Sequence, residues 1–152
     1  MKISFLHLIF DLLVLVVGLA LEEMLPKVGG IGFPVLLSAT VYLARCRPMV
    51  TAVFFALAAG GAEDAASVLP AMLSASYFLG VALLARWSAL PTFLAILVYP
   101  GYQLWLEIWT TGLGGAIFSR LPTALLLGAF TLIVSSSILN FWERKAALDE
   151  AG

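Results

Sequence analysis

The chain has 152 residues, 62% of them hydrophobic and 11% charged, with a mean hydropathy of +1.08 and a formal net charge of −1. A water-soluble domain keeps far more polar surface than this, so the composition predicts an all-α integral membrane protein. The near-zero charge argues against a nucleic-acid partner, and a single cysteine, Cys46, excludes an intramolecular disulfide and a multi-cysteine metal site.

Lys2 precedes an apolar run over about 3–21, close to the roughly 20 residues that a spanning helix needs. A cleaved signal peptide is the rival reading, because Gly18 and Ala20 are small, but its apolar region would be long and would carry His7 and Asp11. Those two residues stand four apart on one helix face, where a hydrogen bond, an ion pair or a proton relay can form. Asp11 is expected near the cytoplasmic boundary, turned toward a neighbouring helix.

Glu22 to Gly32 reads as a polar turn containing Pro26, Lys27, Gly29 and Gly30. A second helix over about 28–44 follows, with Pro34 admissible in a first turn, and Arg45, Arg47 and Pro48 end it. The third segment, about 49–62, is short enough to be re-entrant. It places Ala52, Ala56 and Gly60 four apart, a small-residue face that lets helix backbones approach closely. It stops at the carboxylate pair Glu63-Asp64. A fourth helix over about 67–85 ends at Arg86-Trp87.

The fifth helix, about 89–109, carries Pro100, which predicts a kink there, and Glu107 near its end. Its aromatics Tyr99, Tyr102, Trp105 and Trp109 read as an interfacial belt. Arg120-Leu121-Pro122 opens the sixth run, about 121–142, which stops at Glu143-Arg144-Lys145 and a short polar tail. The expectation is one transmembrane domain over 1–152, a six-helix bundle with both termini cytoplasmic. In that topology Lys2, Arg45, Arg47, Arg86, Arg144 and Lys145 lie inside, against Lys27 and Arg120 outside, the bias that orients membrane proteins.

Catalysis needs converging reactive groups, and few are present. One histidine and no His/Glu pair at helical spacing make a zinc site improbable, and no glycine-rich phosphate loop precedes a lysine. Ser135-Ser136-Ser137 has neither a nucleophile elbow nor a histidine partner and reads as helix-to-helix hydrogen bonding. The expectation is a non-enzyme without a cofactor. Glu63 and Asp64 admit two readings: caps at helix ends, with Asp64 at the N-terminus of the fourth helix, or an inward Asp64 paired with Arg120.

Pro34 to Tyr42 running into Leu43-Ala44-Arg45, an apolar helix ending in the Gly60-to-Asp64 step, and a helix with Gly80 together resemble the rod shape-determining protein MreD family. The family's Gly-Leu-x-x-Asp pattern appears here as Gly61-Ala62-Glu63-Asp64, with a glutamate added and the spacing shortened. The resemblance implies a non-enzymatic scaffold of the bacterial cytoplasmic (inner) membrane, part of the cell-shape and elongation complex. It would bind the single-span protein MreC and link MreB filaments to the transmembrane peptidoglycan synthases. The face of Ala52, Ala56 and Gly60 and the outer loop around Glu63 and Asp64 are the expected partner contacts. The MreD family is thought to share its architecture with the substrate-binding components of energy-coupling-factor vitamin transporters, which supply the alternative. In that reading Tyr102, Trp105 and Trp109, with Gln103, Glu107 and Asp64, would form an outward pocket.

Overall fold

The computed structural model describes residues 5–87, 92–112 and 114–151, and among these the chain is all helical. Lys2, the first residues of the expected 3–21 run and the expected start of the fifth helix at Ala89 lie outside the described residues. Six helices carry the structure: α1 (Phe5–Met24), α2 (Val35–Cys46), α3 (Met49–Ala66), α4 (Leu73–Trp87), α6 (Val98–Thr110) and α7 (Ala116–Ala151), with a single turn, α5 (Thr92–Ala95), before α6. Two of them are long and apolar enough to cross a membrane, Met49–Ala66 with mean hydropathy 1.3 and Ala116–Lys145 with 1.9.

Helix α2 is the centre of the bundle. It packs against α1, α3, α4 and α7, and Leu36 through Val41, Leu43 and Ala44 are buried along it. It starts later than expected because Val28 to Phe33 is occupied by a tight reversal. Val28 and Ile31 exchange both backbone hydrogen bonds, at 2.9 and 3.1 Å, around Gly29 and Gly30. Both glycines have positive φ, 60° and 81°, as the primed two-residue turn requires. The helix is left with 12 residues, or about 18 Å against about 30 Å of hydrocarbon.

The third segment differs in the opposite direction. Helix α3 continues through Gly60-Gly61-Ala62-Glu63-Asp64 to Ala66, giving 18 residues in place of the short 49–62 run. The reason is packing. Gly60 lies against α4 so closely that a Cβ there would overlap the Ala75 backbone, and that contact holds the glycine pair helical. The small-residue face expected to receive a partner is therefore occupied within the chain: Ala52, Ala56 and Gly60 are all buried.

The turn from α3 to α4 takes up the first residues of the expected 67–85 helix. Val68 and Met72 sit in the left-handed region at φ 54° and 69°, and Pro70 has no N–H to offer a helix, so α4 begins only at Leu73. Near Pro100 the interruption falls one turn earlier than expected. Pro100 cannot bond the carbonyl of Ile96, and the helix breaks at 96–97, leaving Pro100 in the first turn of α6. Helix α7 starts before Pro122, which lies inside it, and runs past Glu143-Arg144-Lys145 to Ala151 where a polar tail was expected.

The aromatic belt is also relocated. Tyr99 and Tyr102 are buried, and Tyr102 meets Tyr77 at 5.3 Å and Phe78 at 5.6 Å between ring centroids. Trp105 is half-buried and donates from Nε1 to the Leu73 carbonyl at 3.1 Å. Only Trp109 of the four stays exposed. The aromatic face of α6 glues that helix to α4.

Candidate functional site

Charged side chains gather at the two ends of α2. At its C-terminus, Asp11 of α1 and Glu143 of α7 converge on Arg47, which is buried at 8% exposure. Arg47 Nε donates to Asp11 Oδ1 at 3.1 Å, and Nη2 lies 2.8 Å from Glu143 Oε1 as an ion pair without hydrogen-bond alignment. The guanidinium also stands 5.7 Å from the Phe10 ring centroid, a cation–π distance. Tyr42 donates its hydroxyl to Glu143 Oε2 at 3.0 Å, and Arg86 of α4 donates to the Arg47 carbonyl at 2.6 Å, satisfying a carbonyl at the end of α2. One arginine in the turn after α2 thus ties α1, α2 and α7 together, and a second adds α4.

His7 is exposed and lies near enough to Asp11, four residues on, to act on its charge, while the direct contact of Asp11 is with Arg47. The Arg47 partnership escaped sequence reading because 36 residues separate it from Asp11 and no local spacing joins them. The isolated aspartate in an apolar run was the available signal, since such a group requires a cation.

At the N-terminal end of α2 the acids cap helices. Glu22, near the end of α1, accepts from the Leu36 amide with Oε1 at 2.7 Å. Asp64, near the end of α3, repeats the device on α4: Oδ1 accepts from the Ser74 amide at 2.7 Å and Oδ2 from Ala75 at 3.4 Å. In both cases an acid from one helix satisfies the unpaired amides and the positive dipole end of the next. Asp64 is buried, and both its oxygens face α4. Arg120 is exposed near the start of α7, so the alternative Asp64–Arg120 pair does not form.

A polar cavity of about 200 Å³ opens beside these caps, between the α1–α2 turn, α3 and α6. Glu22, Glu63, Tyr99, Tyr102, Gln103 and Lys27 contribute to its wall. Of the residues expected to form an outward pocket, Tyr102 and Gln103 are there. Asp64 is engaged on α4, Trp105 borders a separate apolar groove between α4 and α6, and Glu107 and Trp109 do not line the cavity. Glu22 lies just past the expected 3–21 span. Burial, with the facing Glu63 carboxyl adding to it, pushes its pKa from the ordinary 4.5 up to about 9.

Elsewhere, Ser137 bonds its own helix at the Ile133 carbonyl, 2.8 Å away, instead of a neighbouring helix. Cys46 is an exposed free thiol. Among the described residues no group of three His, Cys, Asp or Glu side chains is placed to hold a metal ion. Comparison of this chain with protein-family models, with curated proteins and with solved structures finds no match.

Proposed function

We propose that the chain is a multi-pass helical scaffold of the bacterial inner membrane, of the MreD kind, that positions partner proteins and carries out no chemistry itself. The observation that supports this reading is the work assigned to its buried charges. Among the described residues, Asp11, Arg47 and Asp64 are the buried charged side chains, and each holds one helix of the bundle to another. The partner would meet lipid-facing surface. Helix α7 presents Leu126, Phe130, Ile133, Ile138 and Phe141 outward, and α1 presents Leu12, Leu13 and Val16. In this reading the partners are an MreC-like single-span protein and, through it, MreB filaments and the transmembrane peptidoglycan synthases.

The test is recovery of partners from native membranes. Tagged chain extracted in mild detergent should bring down a single-span coiled-coil protein, and tags at the two termini should report the same, cytoplasmic, face. Opposite faces, or an ATPase recovered in place of the coiled-coil protein, would sink the scaffold. A second reading, a small-molecule capture subunit of a transporter, is favoured by one observation, the polar cavity at the Glu22–Glu63 end.

A further inference from the structure

A second opening, about 170 Å³, lies between α1 and α3 at the cytoplasmic end of the bundle. Its rim is apolar, with Leu8, Leu12 and Phe54 exposed, but Asp11 and Thr51 also line it. These two side chains are buried, at 4% and 8% exposure, and each has an oxygen without a partner, Asp11 Oδ2 and Thr51 Oγ1. Arg47 engages only the other oxygen of Asp11, Oδ1. A helical threonine commonly turns its hydroxyl to the carbonyl four residues back. For Thr51 that carbonyl belongs to Arg47, and Arg86 holds it at 2.6 Å. The groove therefore lacks a donor for a carboxylate oxygen and an acceptor for a hydroxyl, side by side, and leaving both unmet is costly.

One side-chain type answers both demands at once: a primary amide has N–H donors and a carbonyl acceptor. The chain carries such a group unused. Asn140 of α7 is exposed, and among the described residues it makes no hydrogen bond. The depths agree. Arg47 and Glu143 meet at one level, 2.8 Å apart. Helix α3 leaves that level with Thr51 in its first turn, and α7 approaches it with Asn140 three residues, about 4.5 Å, before Glu143. Both side chains therefore lie about one turn inward from the same charged layer. Copies inserted the same way in a bilayer share that layer, so Asn140 of one stands at the depth of Thr51 in its neighbour. Ser136 and Ser137, about one turn from Asn140, keep this strip of α7 low enough for another helix to come close.

We propose that the groove between α1 and α3 receives α7 of a second copy of this chain, with Asn140 donating to Asp11 Oδ2 and accepting from the Thr51 hydroxyl. The contact joins two different patches, so it is heterologous, and successive copies close into a ring or extend as a row in the membrane. The inference rests on the membrane part of the proposed function and goes beyond it; it does not depend on which partner the scaffold holds.

The experiment uses the full chain in phospholipid vesicles, with Cys46→Ser to remove the native thiol. One pool carries Phe54→Cys, one turn beyond Thr51, and the other Ser137→Cys, about one turn from Asn140. Oxidation of the mixed pools should give a cross-linked dimer at least fivefold above either pool alone. Energy transfer between labelled copies should show association weakened about tenfold by Asn140→Leu and by Thr51→Val, with the helical signal unchanged. Ser76→Ala, on α4, should associate as the unaltered chain does. Cross-linking no stronger in the mixture than in the separate pools overturns the proposal. So does undiminished association of Asn140→Leu, the result expected if a water bridges the two oxygens instead. In native membranes, Phe54→Cys joined to a different protein gives the groove to that protein and overturns docking between copies. Asn140→Leu that loses self-association yet still recovers the coiled-coil partner supports the docking and leaves the scaffold standing. Release of the chain from vesicles by alkaline carbonate would sink the membrane reading, and this docking with it.

Discussion

Arg47 Nε stands 3.1 Å from Asp11 Oδ1, joining the start of α1 to the end of α2 across 36 residues of chain. Both side chains are buried, so the pair behaves asymmetrically under mutation. Arg47→Ala leaves Asp11 and Glu143 uncompensated and should cost about 3–5 kcal/mol, read as the midpoint of unfolding in detergent. The double change Asp11→Leu with Arg47→Met should recover most of that loss. A double variant no more stable than Arg47→Ala would show that the pair supplies net stability instead of only balancing its own desolvation.

Gly60 is set against the Ala75 backbone, and backbone cannot swing aside as a side-chain tip can. Gly60→Ala should destabilise the chain by about 1–3 kcal/mol, whereas Gly61→Ala, which meets nothing, should be neutral or slightly stabilising. Thermal unfolding of the two variants side by side checks this.

Asp64 caps a helix that is not its own. Asp64→Ala should cost about 1–2 kcal/mol, and Asp64→Asn, which keeps an acceptor, should lose less. Arg120→Ala should leave the Asp64 cap intact, because the two side chains are not partners. An equal loss from Arg120→Ala and Asp64→Ala would restore their pairing.

Glu22 makes stability depend on pH. Its folded-state pKa, raised from 4.5 to about 9, means the folded chain holds a proton that the unfolded chain has released. The contribution is complete below pH 4.5, shrinks as pH climbs, and is gone once pH passes about 9. Glu63, Glu23, Lys27 and Tyr99 face the same cavity. Glu22→Gln should flatten the fall in stability between pH 5 and pH 9. Parallel curves for the two proteins would remove Glu22 as the cause.

Val68 is a β-branched residue at φ 54°, a conformation that costs an L-residue about 1–2 kcal/mol. It is almost fully exposed, so Val68→Gly loses little contact and should raise the unfolding midpoint.

The helices were legible in the sequence because long apolar runs and Pro/Gly punctuation are local signals. The ends were less so. Gly60-Gly61 followed by two carboxylates reads locally as a stop, yet close approach to Ala75 and the use of Asp64 as a cap for α4 let α3 run through it. Tyr99 and Tyr102 look interfacial on a helical wheel drawn without neighbours, and only the packing of α6 on α4 turns them inward. The acids at 22, 63 and 64 announced themselves by type, but nothing in their spacing showed that Glu22 and Glu63 would share a cavity. Arg47 reads locally as a topology marker at a loop, since its two carboxylate partners lie on helices far away along the chain.

The caps on α2 and α4 have a consequence for biogenesis. Each comes from the preceding helix, so neither short rod completes its first turn until it has folded back against its predecessor. Insertion should proceed by hairpins, α1 with α2 and α3 with α4. Nascent chains halted after α2 or after α4 should resist protease, whereas a halt in the middle of either pair should leave a segment that is readily cut.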